Sequence, residues 1–163
     1  MFLVDTSIWI GYLRGIKEPP VVAFEQMLEH RYPFGITQAI YQEVLQGAGT
    51  DASFDRLAQY LGTQVFYEPR DPIETFTEAA RIYYRCRRAG ITVRSTIDCL
   101  IARIAIENDL LLVHDDRDFP FIASVIPELK LYAGNLREDR TVSYLHQPQA
   151  VYHVSRDPDT NDV

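Results

Sequence analysis

The sequence predicts a three-layer α/β/α fold around a central, mainly parallel sheet, and three observations carry that prediction. Short runs such as Phe2-Leu3-Val4 and Leu110-Leu111-Leu112-Val113 are apolar on both faces, as strands covered by helices on both sides must be. Between them, apolar residues recur at helical spacing in segments joined by short connections, without repeats or low-complexity tracts, so strand and helix alternate. Both apolar runs end in acids, Asp5 in one case and Asp115-Asp116 in the other. In open α/β sheets, ligands bind in the crevice outside the carboxyl ends of the strands.

Composition narrows the classes. A chain of 163 residues is long enough to bury one core without disulfides or a structural metal. Asp5, Arg14 and Lys17 interrupt any signal-like apolar stretch, and no run approaches a membrane span. The expected setting is therefore cytoplasmic, with no membrane partner. Cys86 and Cys99 have no paired spacing and read as core residues or free thiols. A net charge of −7 argues against a general nucleic-acid coat but leaves room for a local basic groove, and it suits cation binding.

After the first strand, Thr6 or Ser7 can cap a helix carrying Ile8, Trp9, Tyr12 and Leu13, which Arg14 and Gly15 stop. Asp5 itself has two readings, a site residue or a contributor to that cap. Lys17-Glu18-Pro19-Pro20 reads as a turn and Val21 to His30 as a helix with Phe24, Met27 and Leu28 on one face. Pro33 to Ile36 forms a second strand, and Thr37 caps a helix through Gln46. Glu43 shares the face of Ala39 and Ile40, where a carboxylate needs compensation unless it snorkels to water.

Asp51 or Ser53 opens a further helix through Leu61, and Gln64 to Tyr67 makes a third strand. Asp71-Pro72-Ile73-Glu74 combines a cap, a proline at the first helical position and an acid for a capping box, starting a helix to Ala89. From Arg81 to Arg94 there are five arginines and no acid, with Arg81, Arg85 and Arg88 on one face. This stripe is either a phosphate-binding surface together with Arg94 or a solvated face paired with Glu78. The next helix, from Ser95, buries Ile97, Leu100, Ile101, Ile104 and Ala105 and carries Asp98 in its first turn. Ser95-x-x-Asp98 is open to a capping-box reading. After Asn108 and Asp109 comes the buried strand to Val113, then His114-Asp115-Asp116-Arg117-Asp118-Phe119 and a short helix with Phe121 and Ile122.

Asp5, Glu43, Asp98 and Asp116 thus fall where a parallel sheet gathers residues. Four carboxylates in one crevice repel unless cations neutralise them, and with no histidine or cysteine cluster the expected cofactor is Mg²⁺ or Mn²⁺. Such ions activate water and stabilise phosphoryl transition states.

On Val4-Asp5-Thr6-Ser7-x-Trp9, Glu43-Val44-Leu45-Gln46-Gly47, Thr96-Ile97-Asp98-Cys99-Leu100-Ile101-Ala102 and Asp116-Arg117-Asp118-Phe119, the chain resembles the PIN-domain family, and within it the VapC-type toxin ribonucleases. The resemblance spans about the first 130 residues. It implies a metal-dependent endoribonuclease acting on structured RNA such as a tRNA, a dimer restrained by a cognate antitoxin protein. It also implies metal-binding and catalytic roles for Asp5, Glu43, Asp98 and Asp116, with Asp118 as a helper and Thr6 and Ser7 in support.

Residues 1–135 are read as the PIN-like nuclease domain and 136–163 as a C-terminal extension of unknown role. In that extension, Thr141 to His146 and Ala150 to Ser155 are expected as a hairpin or as extended segments, ahead of a frayed end. Other classes fit less well. A haloacid-dehalogenase-type phosphatase needs a second aspartate where Ser7 stands, and a receiver domain needs paired acids at the first strand. A PIN-like scaffold that binds RNA or protein without catalysis would not need the full acid set.

Overall fold

The computed structural model describes residues 1–134, so the predicted tail strands lie outside the described residues. In chain order the elements are β1 (Phe2–Val4), α1 (Thr6–Leu13), α2 (Pro19–Glu29), β2 (Phe34–Ile36), α3 (Gln38–Gln46), α4 (Asp51–Leu61) and β3 (Val65–Phe66), followed by α5 (Pro72–Arg88), α6 (Thr96–Glu107), β4 (Leu111–Val113), α7 (Asp118–Val125) and β5 (Lys130–Leu131). The sheet has the order β3-β2-β1-β4-β5 and every pairing is parallel.

That order places the site. The chain runs outward from β1 through β2 to β3, then crosses back to β4 on the other side of β1. Right-handed crossovers therefore put α1 to α4 on one face of the sheet and α5 to α7 on the other. Helix contacts agree: α1 packs on α2 and α3, and α3 on α4, while α5, α6 and α7 pack on one another. The topological switch point lies between β1 and β4, which pair through Val4 and Val113. The Asp5 amide continues the ladder by donating to the Val113 carbonyl at 2.9 Å. The acids that follow these two strands are neighbours for this reason.

Phe2, Leu3, Val4, Leu112 and Val113 are buried, as strands covered on both faces require. Trp9, Phe24 and Phe34 fill one face with edge-on and tilted ring contacts at 4.8–6.1 Å. On the other face, Cys86 of α5 and Cys99, Ile101 and Ala105 of α6 are fully or almost fully buried, the cysteines as free thiols. At Gly35 of β2 a Cβ would come within 2.5 Å of the Val65 carbonyl and 2.7 Å of the Tyr67 ring, so β3 approaches only because the side chain is absent.

Several helix starts differ from expectation. Asp5, rather than Thr6 or Ser7, caps α1 by accepting from the Ser7 amide. Pro19 and Pro20 do not form a turn before α2 but occupy its first two positions, where no intrahelical amide is needed. Thr50, rather than Asp51 or Ser53, caps α4, in a reciprocal box with Ser53. Asp71 accepts from the Glu74 amide as expected, and no returning bond from Glu74 is present among the described residues.

At the far end of α6, the buried Glu107 carboxylate accepts from Thr75 Oγ1 at 2.9 Å and from the Arg70 amide at 3.3 Å, with Arg103 Nε at 3.4 Å. These contacts tie α6 to the start of α5 and so hold Asp98, at the opposite end of α6, against the strand ends.

Candidate active site

Asp5 leaves the end of β1 buried, and its Oδ2 accepts from both the Ser7 amide (2.9 Å) and Ser7 Oγ (2.6 Å). Ser7 Oγ in turn accepts from the Asp115 amide at 2.9 Å, which stitches the end of β1 to the loop after β4. Burial raises the Asp5 pKa above the ordinary carboxylate value, and the Ser7 hydrogen bonds pull partly against that. Glu43 reaches in from α3 and does not snorkel: its Oε2 accepts from Thr6 Oγ1 at 2.5 Å. Its pKa is likewise raised, by burial first and then by the charge of Asp5, with the Thr6 bond opposing.

Asp98 enters from the first turn of α6. The capping box does not form, because Ser95 caps through the Ile97 amide and Asp98 makes no hydrogen bond among the described residues. Its pKa is pushed up to about 7, mainly by burial and then by the charges of Asp5, Asp116, Asp118 and Glu43. The other four carboxylates thus all act on Asp98 across one crevice.

Asp116 and Asp118 follow β4 and are bound to Arg94, which lies between α5 and α6. Arg94 NH2 donates to Asp116 Oδ1 at 2.6 Å, and Nε stands 3.2 Å from each Asp118 oxygen. The Arg94 amide donates to Asp118 Oδ2 at 2.8 Å, and the Asp118 amide to Asp116 Oδ1 at 2.9 Å. The hydrogen bond to Asp118 and the charge of Asp116 raise the Arg94 pKa further. Both Asp118 oxygens therefore lie on Arg94, which this side chain anchors.

The four arginines have different partners. Arg94 is in the acid centre. Arg81 pairs with Glu78 at 2.9 Å, as the alternative reading had it, and Arg85 donates to the Val125 carbonyl at 3.1 Å. These two line a small cleft of about 130 Å³ with Arg103 and Glu128, while Arg88 is exposed near the end of α5.

Sequence reasoning missed His114. Burial lowers its pKa, its ring lies 5.2 Å from that of Phe119, and its charged form would face Asp5. The available signal was its place directly after a fully apolar strand. With Asp115, Asp116, Arg117, Pro19, Pro20, Pro120 and Tyr132 it lines an open cleft of about 580 Å³ beside the acids.

As placed, no three described His, Cys, Asp or Glu side chains close around one ion. The hydrogen bonds explain this spread: Ser7 holds one oxygen of Asp5, Thr6 one of Glu43, and Arg94 one of Asp116. The donor set nevertheless suits a hard divalent cation, being all oxygen with an unpaired carboxylate at its middle.

The chain matches the PIN domain over residues 2–124. It belongs to the PIN-domain family. Within that family it is similar to a VapC ribonuclease of Mycobacterium bovis, Mb1587, and to ribonuclease VapC11 of Mycobacterium tuberculosis. It is 37% identical to each over 126 residues, covering 77% of this chain and 93% of the relative.

Proposed function

We propose that the protein is a VapC-type endoribonuclease, the toxin of a toxin–antitoxin pair, which hydrolyses phosphodiester bonds in structured RNA such as tRNA. The observation that carries this reading is Asp98, a carboxylate without a hydrogen bond, raised by burial and four surrounding acids at the switch point of a parallel sheet. Such a group is unfavourable for folding, and its place is explained by a cation. Mg²⁺ or Mn²⁺ would be held among these acids by Asp5, Glu43 and Asp98, with Asp116 alongside. When bound, the ion supplies a Lewis acid that lowers the pKa of water and offsets charge developing on the phosphate.

The remaining groups position this set. Ser7 and Thr6 orient Asp5 and Glu43, and Asp118 holds Arg94. Arg88 and Arg94 are assigned to RNA phosphates, with Arg81 and Arg85 adding positive charge along α5. Cleavage of structured RNA by the purified chain should require Mg²⁺ or Mn²⁺ and stop in excess EDTA. Cleavage that persists in EDTA would overturn the metal mechanism, and none under any condition would leave an RNA-binding scaffold.

The similarity to VapC proteins supports a cognate antitoxin as partner and action in the cytoplasm. A homodimer is supported by α5, whose outer face exposes Ile73 (80%), Phe76 (57%) and Tyr84 (50%) at helical spacing around Ala80. An antiparallel pairing centred on Ala80 sets Phe76 opposite Tyr84 across a twofold axis. Sedimentation at micromolar concentration should give a dimer for the intact chain and a monomer for Ile73→Glu with Phe76→Glu. A wild-type monomer would overturn the pairing.

A further inference from the structure

We propose that Arg94 is the fixed second cation of the acid centre, so that the protein takes one divalent ion per chain, on the side of Asp5, Glu43 and Asp98. This rests on the nuclease reading above and adds the charge arrangement of its site.

The contacts divide the five acids into two groups. Asp118 is 1% exposed and both its oxygens lie on Arg94, so turning it toward an ion would leave a buried charge without its partner. Asp116 Oδ1 already receives the Arg94 guanidinium and the Asp118 amide. A divalent ion on Asp116 would share that carboxylate with a positive charge, and like charges in a part-buried site oppose one another strongly. Asp5 and Glu43, by contrast, are met only by the neutral donors of Ser7 and Thr6, and Asp98 by none. Among the described residues no lysine or arginine pairs with any of these three. The charge that the protein leaves uncompensated is therefore confined to Asp5, Glu43 and Asp98.

An arginine suits this task better than a lysine. Its planar fork spans two carboxylates at once, and it stays charged at any pH at which the protein folds. The side chain is half exposed, and NH1 has no hydrogen-bond partner among the described residues. It remains available to a phosphate oxygen of the RNA.

Titration calorimetry of Mn²⁺ into the intact chain, without RNA, tests the proposal. Wild type should bind one ion. Arg94→Gln, which removes the cation and keeps an amide, should bind two, and Arg94→Lys should return to one. Thermal melting gives an independent readout: Arg94→Gln should melt below wild type in EDTA and regain most of the difference in Mn²⁺, as an ion takes over from the guanidinium. A merely structural arginine would lower melting equally with and without Mn²⁺ and leave the stoichiometry at one, which would overturn the proposal. Two ions on wild type would also overturn it while sparing the nuclease reading. No Mn²⁺ on wild type or on either variant would overturn that reading itself.

Discussion

Asp98→Asn should abolish RNA cleavage and, in EDTA near neutral pH, make the protein more stable. Both effects come from one carboxylate, raised to about 7 by burial and by Asp5, Asp116, Asp118 and Glu43. Asparagine keeps its size and removes the charge that a divalent ion needs, so a loss of at least about 10³-fold, or ~4 kcal/mol of transition-state stabilisation, is expected. Removing the charge also removes the repulsion. The full shift would correspond to about 4 kcal/mol, but Asp98 is part-exposed and solvent screening leaves roughly 1–2 kcal/mol. For a chain of this size that is a rise of roughly 2–8 °C in melting temperature. No cap is lost, since Ser95 bonds the Ile97 amide without help from Asp98. Asp5→Asn is the useful companion, because an asparagine oxygen can accept from Ser7 and cap α1 as the aspartate does. It should lose activity and stay folded. If Asp98→Asn instead melted lower in EDTA and kept activity within about tenfold of wild type, the residue would be structural.

Strand ends were the most legible part of this chain. Phe2-Leu3-Val4 and Leu110 to Val113 have no polar face, and only a central strand between two helical layers tolerates that, so Asp5 and Asp116 could be placed at carboxyl ends without coordinates. Their convergence depended on the order β3-β2-β1-β4-β5, which makes β1 and β4 neighbours although they lie far apart in sequence. Local signals were less reliable where one residue does two things. Asp5 caps α1 and also faces the site, so its two readings were never exclusive. The loop arginine was the least legible. Arg94 belonged to an acid-free run of five arginines, and helical periodicity orders Arg81, Arg85 and Arg88 but has no bearing on a residue beyond Gly90. Its partners, Asp116 and Asp118, come more than twenty residues later, and only the packing of α6 and α7 brings them to it. The same packing sets Asp118 against Arg94.

Metal-free stability and metal affinity should run in opposite directions with pH. In the folded protein Asp98 holds its proton to about 7, against 3.8 for the unfolded value, and burial raises Asp5 and Glu43 in the same sense. A folded state that binds protons more tightly is stabilised at low pH, so this contribution is lost as pH rises from about 4 to about 7 and is constant above. His114 works against it, because burial lowers its pKa below 6.5 and its contribution is lost as pH falls through that range. Three carboxylates against one imidazole leave a net decline in melting temperature toward neutral pH when EDTA is present. Divalent ions need the ionised carboxylates, so each proton displaced makes affinity rise about tenfold per pH unit below 7 and level off above it. Mn²⁺ titrations and melting curves from about pH 5.5 to 8.5 test both limbs on one sample series. Asp98→Asn should flatten most of each slope while leaving the His114 limb in place. Mn²⁺ affinity that stayed constant in wild type between about pH 5.5 and 7.5 would mean that the ion binds without competing for the proton on Asp98, and the site would have to be sought elsewhere.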